Sequence, residues 1–189
     1  MTPKGLSLKK LGIVKIGNPV LRRKISNVPL GKLKGKEFTG FLRQMVLAMR
    51  KAQGVGLAAN QVGQNRRVFV MECRGNKRYP KVASFPLQGY VNARIVAYSK
   101  STVKGWEGCL SIPGFRGLVP RSRWVTFEAL TPGGLKIRKT VRGFEARVVQ
   151  HEMDHLNGFF YIDRMGDWKS WTHLEEFNRH FRARIRDKE

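Results

Sequence analysis

Apolar residues recur along this chain at two different periods, and the changes from one to the other mark out its elements. Phe38, Phe41, Leu42, Met45, Val46 and Met49 return at helical spacing, which predicts an amphipathic helix over 38–52 with Gly54 as its stop. A glycine-rich stretch leads into Arg67-Val-Phe-Val-Met-Glu72, whose β-branched and apolar content predicts a strand. Further strands are predicted over 90–98 and 123–130. Thr131-Pro132-Gly133-Gly134 has the residues of a tight turn, and 135–141 alternates Leu, Ile, Thr and Val with charge, so the strands on either side of the turn form a hairpin. A second helix is predicted over about 144–157, capped by Gly158, followed by a short apolar strand from Phe159 to Ile162. Leu174, Phe177, Phe181 and Ile185 mark a last amphipathic helix over about 171–186. Near the start, Gly12 to Ile16 reads as extended and Gly17-Asn18-Pro19 as a turn. No repeat or linker interrupts this order, so residues 1–189 are expected to form a single α+β domain, with antiparallel sheets around a central helix.

Composition agrees with that picture and narrows the class. A chain of 189 residues that is 41% hydrophobic can build one substantial core, which excludes a low-complexity or disordered protein. Neither a signal-like start nor an apolar run of membrane-spanning length is present, so the expectation is a cytoplasmic protein with no membrane partner, or an organellar one lacking its presequence. In a reducing compartment the two cysteines, Cys73 and Cys109, are free thiols or metal ligands rather than a disulfide.

The net charge of +24 changes the picture more. Residues 1–51 hold 13 Lys and Arg against one acid, whereas 151–189 hold 7 against 8, so the excess lies in the first four-fifths. Such a field attracts polyanions, although no RNA-recognition signature accompanies it and a solvated basic surface explains it as well.

The chemistry centres on His151-Glu-Met-Asp-His155. On a helix these two histidines lie roughly 40° apart and about 6 Å along the axis, so both imidazoles reach one cation, with Glu152 beside them. Val148 shares that face, while Val149, Met153 and Leu156 turn towards the core. A catalytic site of this kind needs a third protein ligand and one open position. A third histidine six residues after the second is excluded, because that residue is Tyr161. Glu175, on the last predicted helix, would build a His2Glu protease site. Its plainer role is in the helix dipole, with Glu175 and Glu176 early and Arg179, Arg182, Arg184 and Arg186 late. Cys109, in Trp106-Glu-Gly-Cys-Leu-Ser-Ile-Pro-Gly-Phe115, is the better candidate, since a thiolate binds borderline cations well.

Three blocks carry a resemblance. Gly54-Val-Gly-Leu-Ala-Ala-Asn-Gln61, Glu107-Gly-Cys-Leu-Ser111 and Gln150-His-Glu-Met-Asp-His155 resemble the signature segments of the peptide deformylases, in the right order. The likeness runs from about Leu11 to Met165, and the wording around Cys109 is similar to the branch that includes organellar and related bacterial enzymes. The first block also fits a loose dinucleotide-binding pattern, but it follows a helix and enters a strand, the reverse of what that fold requires, so no NAD or nucleotide cofactor is expected. Two departures are noted: Asn60 precedes Gln61 where proline is frequent, and Ala93 follows Asn92 where an Asn-Pro pair is common.

The resemblance implies hydrolysis of the N-formyl group from the starting methionine of nascent polypeptides, with release of formate. Cys109, His151 and His155 would hold one divalent ion, Fe2+ natively, with Zn2+, Ni2+ or Co2+ able to replace it. A cation so held lowers the pKa of water from ~16 towards ~7, and Glu152 would move the proton as general base and then acid. The Gln61 amide and the Leu110 backbone N–H would donate to the formyl oxygen. Val55 and Gly56 would align the peptide, Val148 with Val55 would form the apolar slot for methionine, Arg116 would contact the peptide backbone, and Glu107 with Arg121 would form a supporting ion pair. Two other readings stay open: the His2Glu protease using Glu175, and a basic RNA- or ribosome-binding protein without catalysis. Ribosome association through the basic surface and last helix, where Arg179, Arg182 and Arg186 share a face, is also compatible with the enzyme.

Overall fold

A computed structural model describes residues 11–74 and 84–182. The order of elements is α1 (Lys36–Lys51), β1 (Gly56–Ala58), β2 (Val68–Cys73), β3 (Phe85–Tyr98), β4 (Thr102–Cys109), β5 (Ile112–Ser122), β6 (Trp124–Leu130), β7 (Lys136–Arg142), α2 (Gly143–Leu156), β8 (Thr172–His173) and α3 (Leu174–His180). Five strands form an antiparallel sheet in the order β1-β2-β3-β6-β7, and β4-β5-β8 form a second. Helix α2 lies against both. Ala146, Val149, Met153 and Leu156 pack with Phe69, Val125, Phe127 and Val141 of the larger sheet. On its other side the Gln150 amide bonds both backbone groups of Ser122, and Asp154 accepts from Arg121 of β5. Helix α1 covers the opposite face of the larger sheet, where Phe38, Met45 and Met49 meet Val68, Val70 and Val91. This is the expected α+β architecture around a central helix.

The hairpin of β6 and β7 forms as expected, with Trp124 opposite Arg142 and Leu130 opposite Lys136, and Thr131 to Gly134 closes it. β3 is longer than the 90–98 read from the sequence. Two expectations are corrected. Phe159 to Ile162 does not form a strand: Phe160 N–H donates to the Asp163 carboxylate at 2.7 Å, winding Tyr161–Arg164 into a 3-10 turn that buries Phe160 and Tyr161 together. The last helix starts at Leu174, not 171, because Thr172 and His173 pair with Arg116 and Phe115 of β5. Its expected end, with Arg184, Ile185 and Arg186, lies outside the described residues. The extended start is real but joins no sheet; Val14 N–H reaches the Gln61 carbonyl and Ile16 N–H that of Ser111, both at 2.9 Å. No helix of the described residues is long and apolar enough to cross a membrane.

Candidate metal centre

Cys109 ends β4, and its pairing with Ile112 leaves Leu110 and Ser111 as the tip of the β4–β5 hairpin. Because side chains alternate along a strand, Glu107 and Cys109 face the same way, towards α2. There the helical spacing sets His151 and His155 on one face. Cys109 Sγ lies 3.2 Å from His155 Nε2, and His155 Nε2 lies 3.2 Å from His151 Nε2. The three atoms are mutually within 4.8 Å, the only such cluster found among the described residues. A tetrahedral cation with bonds of ~2.0–2.3 Å needs ligand atoms ~3.3–3.8 Å apart. The cluster therefore fits a small divalent cation with a further position open.

Its electrostatics point the same way. Burial pushes the Cys109 thiol up, yet the His155 and His151 imidazoles outweigh that and hold it well below the ordinary thiol value. Burial also pulls His151 down, but the sulfur and the Glu107 carboxylate raise it well above the imidazole range. Positive charge is thus favoured where the three atoms converge, and a divalent cation supplies it. Burial pushes Glu152 up to about 7, against the pull of His151 and His155. Its Oε2 has no hydrogen-bond partner although the residue is only 3% exposed.

The surroundings fix each group. Gln61 Oε1 accepts the Ala58 N–H at 2.9 Å, which turns its amide nitrogen to within 3.4 Å of Cys109 Sγ and 3.2 Å of Ser111 Oγ. His151 Nδ1 meets Glu107 Oε2 at 2.9 Å. Arg121 holds both Glu107 oxygens, at 2.9 and 3.0 Å. Val55, Gly56, Leu110, Phe144, Arg147 and Val148 line one pocket together with Gln61, His151 and Glu152. Arg116 sits apart from it, 7% exposed, packed on Gly108 and under the Phe177 ring. Glu175 does not join the histidines of the centre; its exposed carboxylate faces His173 at 3.9 Å, so it is no ligand here.

The sequence reading missed four residues. Arg147 reaches Glu107 at 2.8 Å, and Asp154 ties Arg121 at 2.5 Å to Arg164 at 2.7 Å. The buried Asn60 amide donates to the His155 carbonyl at 2.6 Å. The only available signal was that Asp154 and Asn60 fall inside two of the motif blocks. Cys73 is a free, buried thiol in the core beside Phe85.

A family model described as polypeptide deformylase matches residues 10–171. The chain belongs to that family. Peptide deformylase 2 of a Nostoc species is 39% identical over 155 residues, 82% of this chain and 86% of the relative. Peptide deformylase 1 of Bordetella pertussis is 39% identical over 163 residues, 86% of this chain and 92% of the relative. Among solved structures, the Met-Ala-Ser-bound class I type b peptide deformylase of Acinetobacter baumannii superimposes with a TM-score of 0.80 at 35% identity, over 82% of this chain and 98% of that one. An actinonin-bound deformylase of Synechococcus elongatus gives 0.76 at 32%, over 85% and 83%. As a deformylase, the chain is a metallohydrolase that removes the N-formyl group from nascent polypeptides, using a single catalytic metal.

Proposed function

We propose that Cys109, His151 and His155 hold the metal and that Glu152 moves the protons of this hydrolysis. The observation that carries the reading is the convergence of one sulfur and two Nε2 atoms beside a buried carboxylate with an unpartnered oxygen. When bound, a divalent cation acidifies water and polarises the formyl carbonyl. Glu152, held near neutrality by burial, accepts the proton of the attacking water and returns it to the departing amine. The Gln61 amide, fixed through Ala58, and the Leu110 backbone N–H stabilise the charge that grows on the formyl oxygen; each such donor contributes ~3 kcal/mol. Glu107 and Arg121 keep the His151 ring oriented.

The substrate side of the reading rests on topology. β1 is an edge strand, so beyond its pairing with β2 it offers a free edge at Gly56 to an extended peptide, beside Val55, whose carbonyl accepts from Glu72 of β2. Val148, Val55 and Phe144 make the slot for the methionine side chain, and Arg116 approaches the chain further out. The native ion in this reading is Fe2+, as the family resemblance implies, with Zn2+, Ni2+ and Co2+ as substitutes. The enzyme works in the cytoplasm, where it meets formyl-methionyl chains at the ribosome through its basic surface and last helix, including Arg179 and Arg182. Reversing those two charges then weakens co-sedimentation with ribosomes.

The test of the centre is formate release from a formyl-Met peptide alongside metal stoichiometry, under anaerobic conditions with iron. Cys109→Ala empties the site. Glu152→Gln keeps the metal and loses turnover ~100- to 10,000-fold. Glu175→Ala changes neither. Retention of metal by Cys109→Ala, or full turnover by Glu152→Gln, overturns the assignment.

A further inference from the structure

Hydrolysis of a formyl-peptide gives no reason for a net charge of +24, and part of that charge is arranged on one surface. In the hairpin of β6 and β7, Val125, Phe127, Ala129 and Val141 point inward to α2. The alternate residues Glu128, Lys136, Arg138 and Arg142 therefore point outward, with Thr126 and Thr140 between them in hydroxyl contact at 2.8 Å. Helix α1 covers the same side of the sheet over β2 and the start of β3 and reaches Leu130, but the remainder of β6 and β7 carries polar residues where a covering element would need apolar ones. Arg94 of β3 joins this face by bonding Glu128 at 2.6 Å, and Arg138 bonds the other Glu128 oxygen at 3.0 Å. Four exposed cations thus share this face with one acid. Lys136 and Arg142 have no side-chain partner among the described residues.

Protection of an edge strand accounts for charge on β7, which ends the sheet. It does not account for Arg94, two strands further in, nor for three arginines among the four cations. Arginine presents a planar fork that grips phosphate through paired N–H donors, whereas lysine serves solubility equally well. Alternate residues on β7 stand ~6.7 Å apart and neighbouring strands ~4.8 Å apart, a two-dimensional array matched by the regular charges of a nucleic-acid backbone.

We propose that this outer face of β3, β6 and β7 is a docking surface for duplex RNA, held through backbone phosphates without reading bases. The face carries no exposed ring on which unpaired bases stack, since Trp124 is half-buried and Tyr98 pairs with the inward-facing Val125. Its large apolar ring, Trp124, is half-buried and the exposed Leu135 stands only at the hairpin tip, so the face offers no apolar patch for insertion into a lipid surface either. RNA rather than DNA rests on the reading that the substrate is a nascent chain. The geometry also keeps both activities compatible: α2 packs on the inner face of the sheet, so the outer face points away from His151 and His155, and bound RNA leaves the substrate pocket open.

The experiment measures fluorescence anisotropy of an arbitrary-sequence RNA duplex of about 20 base pairs with the metal-loaded full chain, from 50 to 200 mM salt. Lys136→Glu, Arg138→Glu and Arg142→Glu together are expected to weaken binding at least tenfold and to flatten the salt slope by ~0.9 per lost phosphate contact. The corresponding Gln triple variant gives a smaller loss in the same direction. Formate release from a formyl-Met peptide stays at the wild-type level in both, which separates this proposal from the assignment of the metal centre. A charge-matched control, Lys24→Glu, Lys104→Glu and Lys169→Glu, at exposed positions away from both this face and the last helix, retains more of the binding. Equal loss in that control, wild-type affinity in the sheet variants, tighter binding of duplex DNA, or displacement of RNA by phosphatidylserine vesicles each overturns the proposal.

Discussion

One oxygen of Glu107 meets His151 Nδ1 at 2.9 Å while Arg121 grips both oxygens of the same carboxylate. The ring is thereby fixed with Nε2 towards Cys109 and His155, and its other nitrogen faces an anion. Arg121 and His151 hold the Glu107 carboxyl well below its ordinary range despite full burial, so it is charged at every working pH. Replacing it by glutamine keeps the shape and removes the charge. Glu107→Gln is expected to lower metal affinity ~10- to 100-fold, read by competition with a chelator. Wild-type affinity would mean that the pair orients nothing.

Asn60 makes the second link, from the Gln61 loop to the end of α2. Its amide donates to the His155 carbonyl at 2.6 Å inside the protein, and the residue is fully buried. Asn60→Ala loses one buried hydrogen bond and is expected to cost ~1–2 kcal/mol in denaturant unfolding. Asn60→Asp is expected to cost more than Asn60→Ala, since a carboxylate set against a carbonyl oxygen can only repel it or take up a proton. The ranking, more than either value, tests the link; an Asp variant as stable as wild type refutes it.

These links mark the limit of what the sequence could reveal. The histidine pair was legible because helical periodicity is local, and Cys109 because a motif surrounds it. The chain of contacts from His151 through Glu107, Arg121 and Asp154 to Arg164 was not, apart from the Glu107–Arg121 pair, because it joins four separate elements through ordinary charges. β4 and β5 were also missed. Gly105, Gly108, Pro113, Gly114, Gly117 and Pro120 break the alternation of polar and apolar residues there, and burial of Glu107, Arg116 and Arg121 inverts it. Phe159 to Ile162 misled in the opposite sense: a short apolar run looks the same in a strand and in a buried turn.

Acid should expose a third relationship. Glu72 on β2 accepts from Arg50 of α1 at 2.8 and 3.0 Å and from Arg74 at 2.6 Å. The Arg50 hydrogen bond leads in holding its carboxyl below the ordinary value, against burial. A folded value below the unfolded one, ~4.3, gives stability that is complete above that pH and is lost as pH falls through the folded value. Glu72→Gln is therefore expected to be less stable than wild type by ~1–2 kcal/mol at pH 7, with the gap closing below about pH 4. Unfolding curves at the two pH values check this, and a gap that persists in acid assigns the loss to packing.

The last expectation separates proton transfer from metal binding by sterics alone. A Cβ added to Gly56 would meet the Glu152 carboxylate, with Cδ at 2.8 Å. Gly56 is pinned opposite Met71 in the sheet and Glu152 lies in the middle of α2, so neither backbone yields easily and the carboxylate is what moves. The neighbouring ligands keep their places, because His151 and His155 are held from Glu107 and from the helix itself. Gly56→Ala should therefore retain its metal and lose kcat. Gly54→Ala is the matched comparison: its Cβ meets the Cδ1 end of Leu110 at 2.7 Å, a flexible side chain that can turn aside. Its kcat should fall much less. Parallel measurement of metal content and kcat in the two variants decides the point, and equal activity in both would show that the position of the Glu152 carboxylate is not critical to turnover.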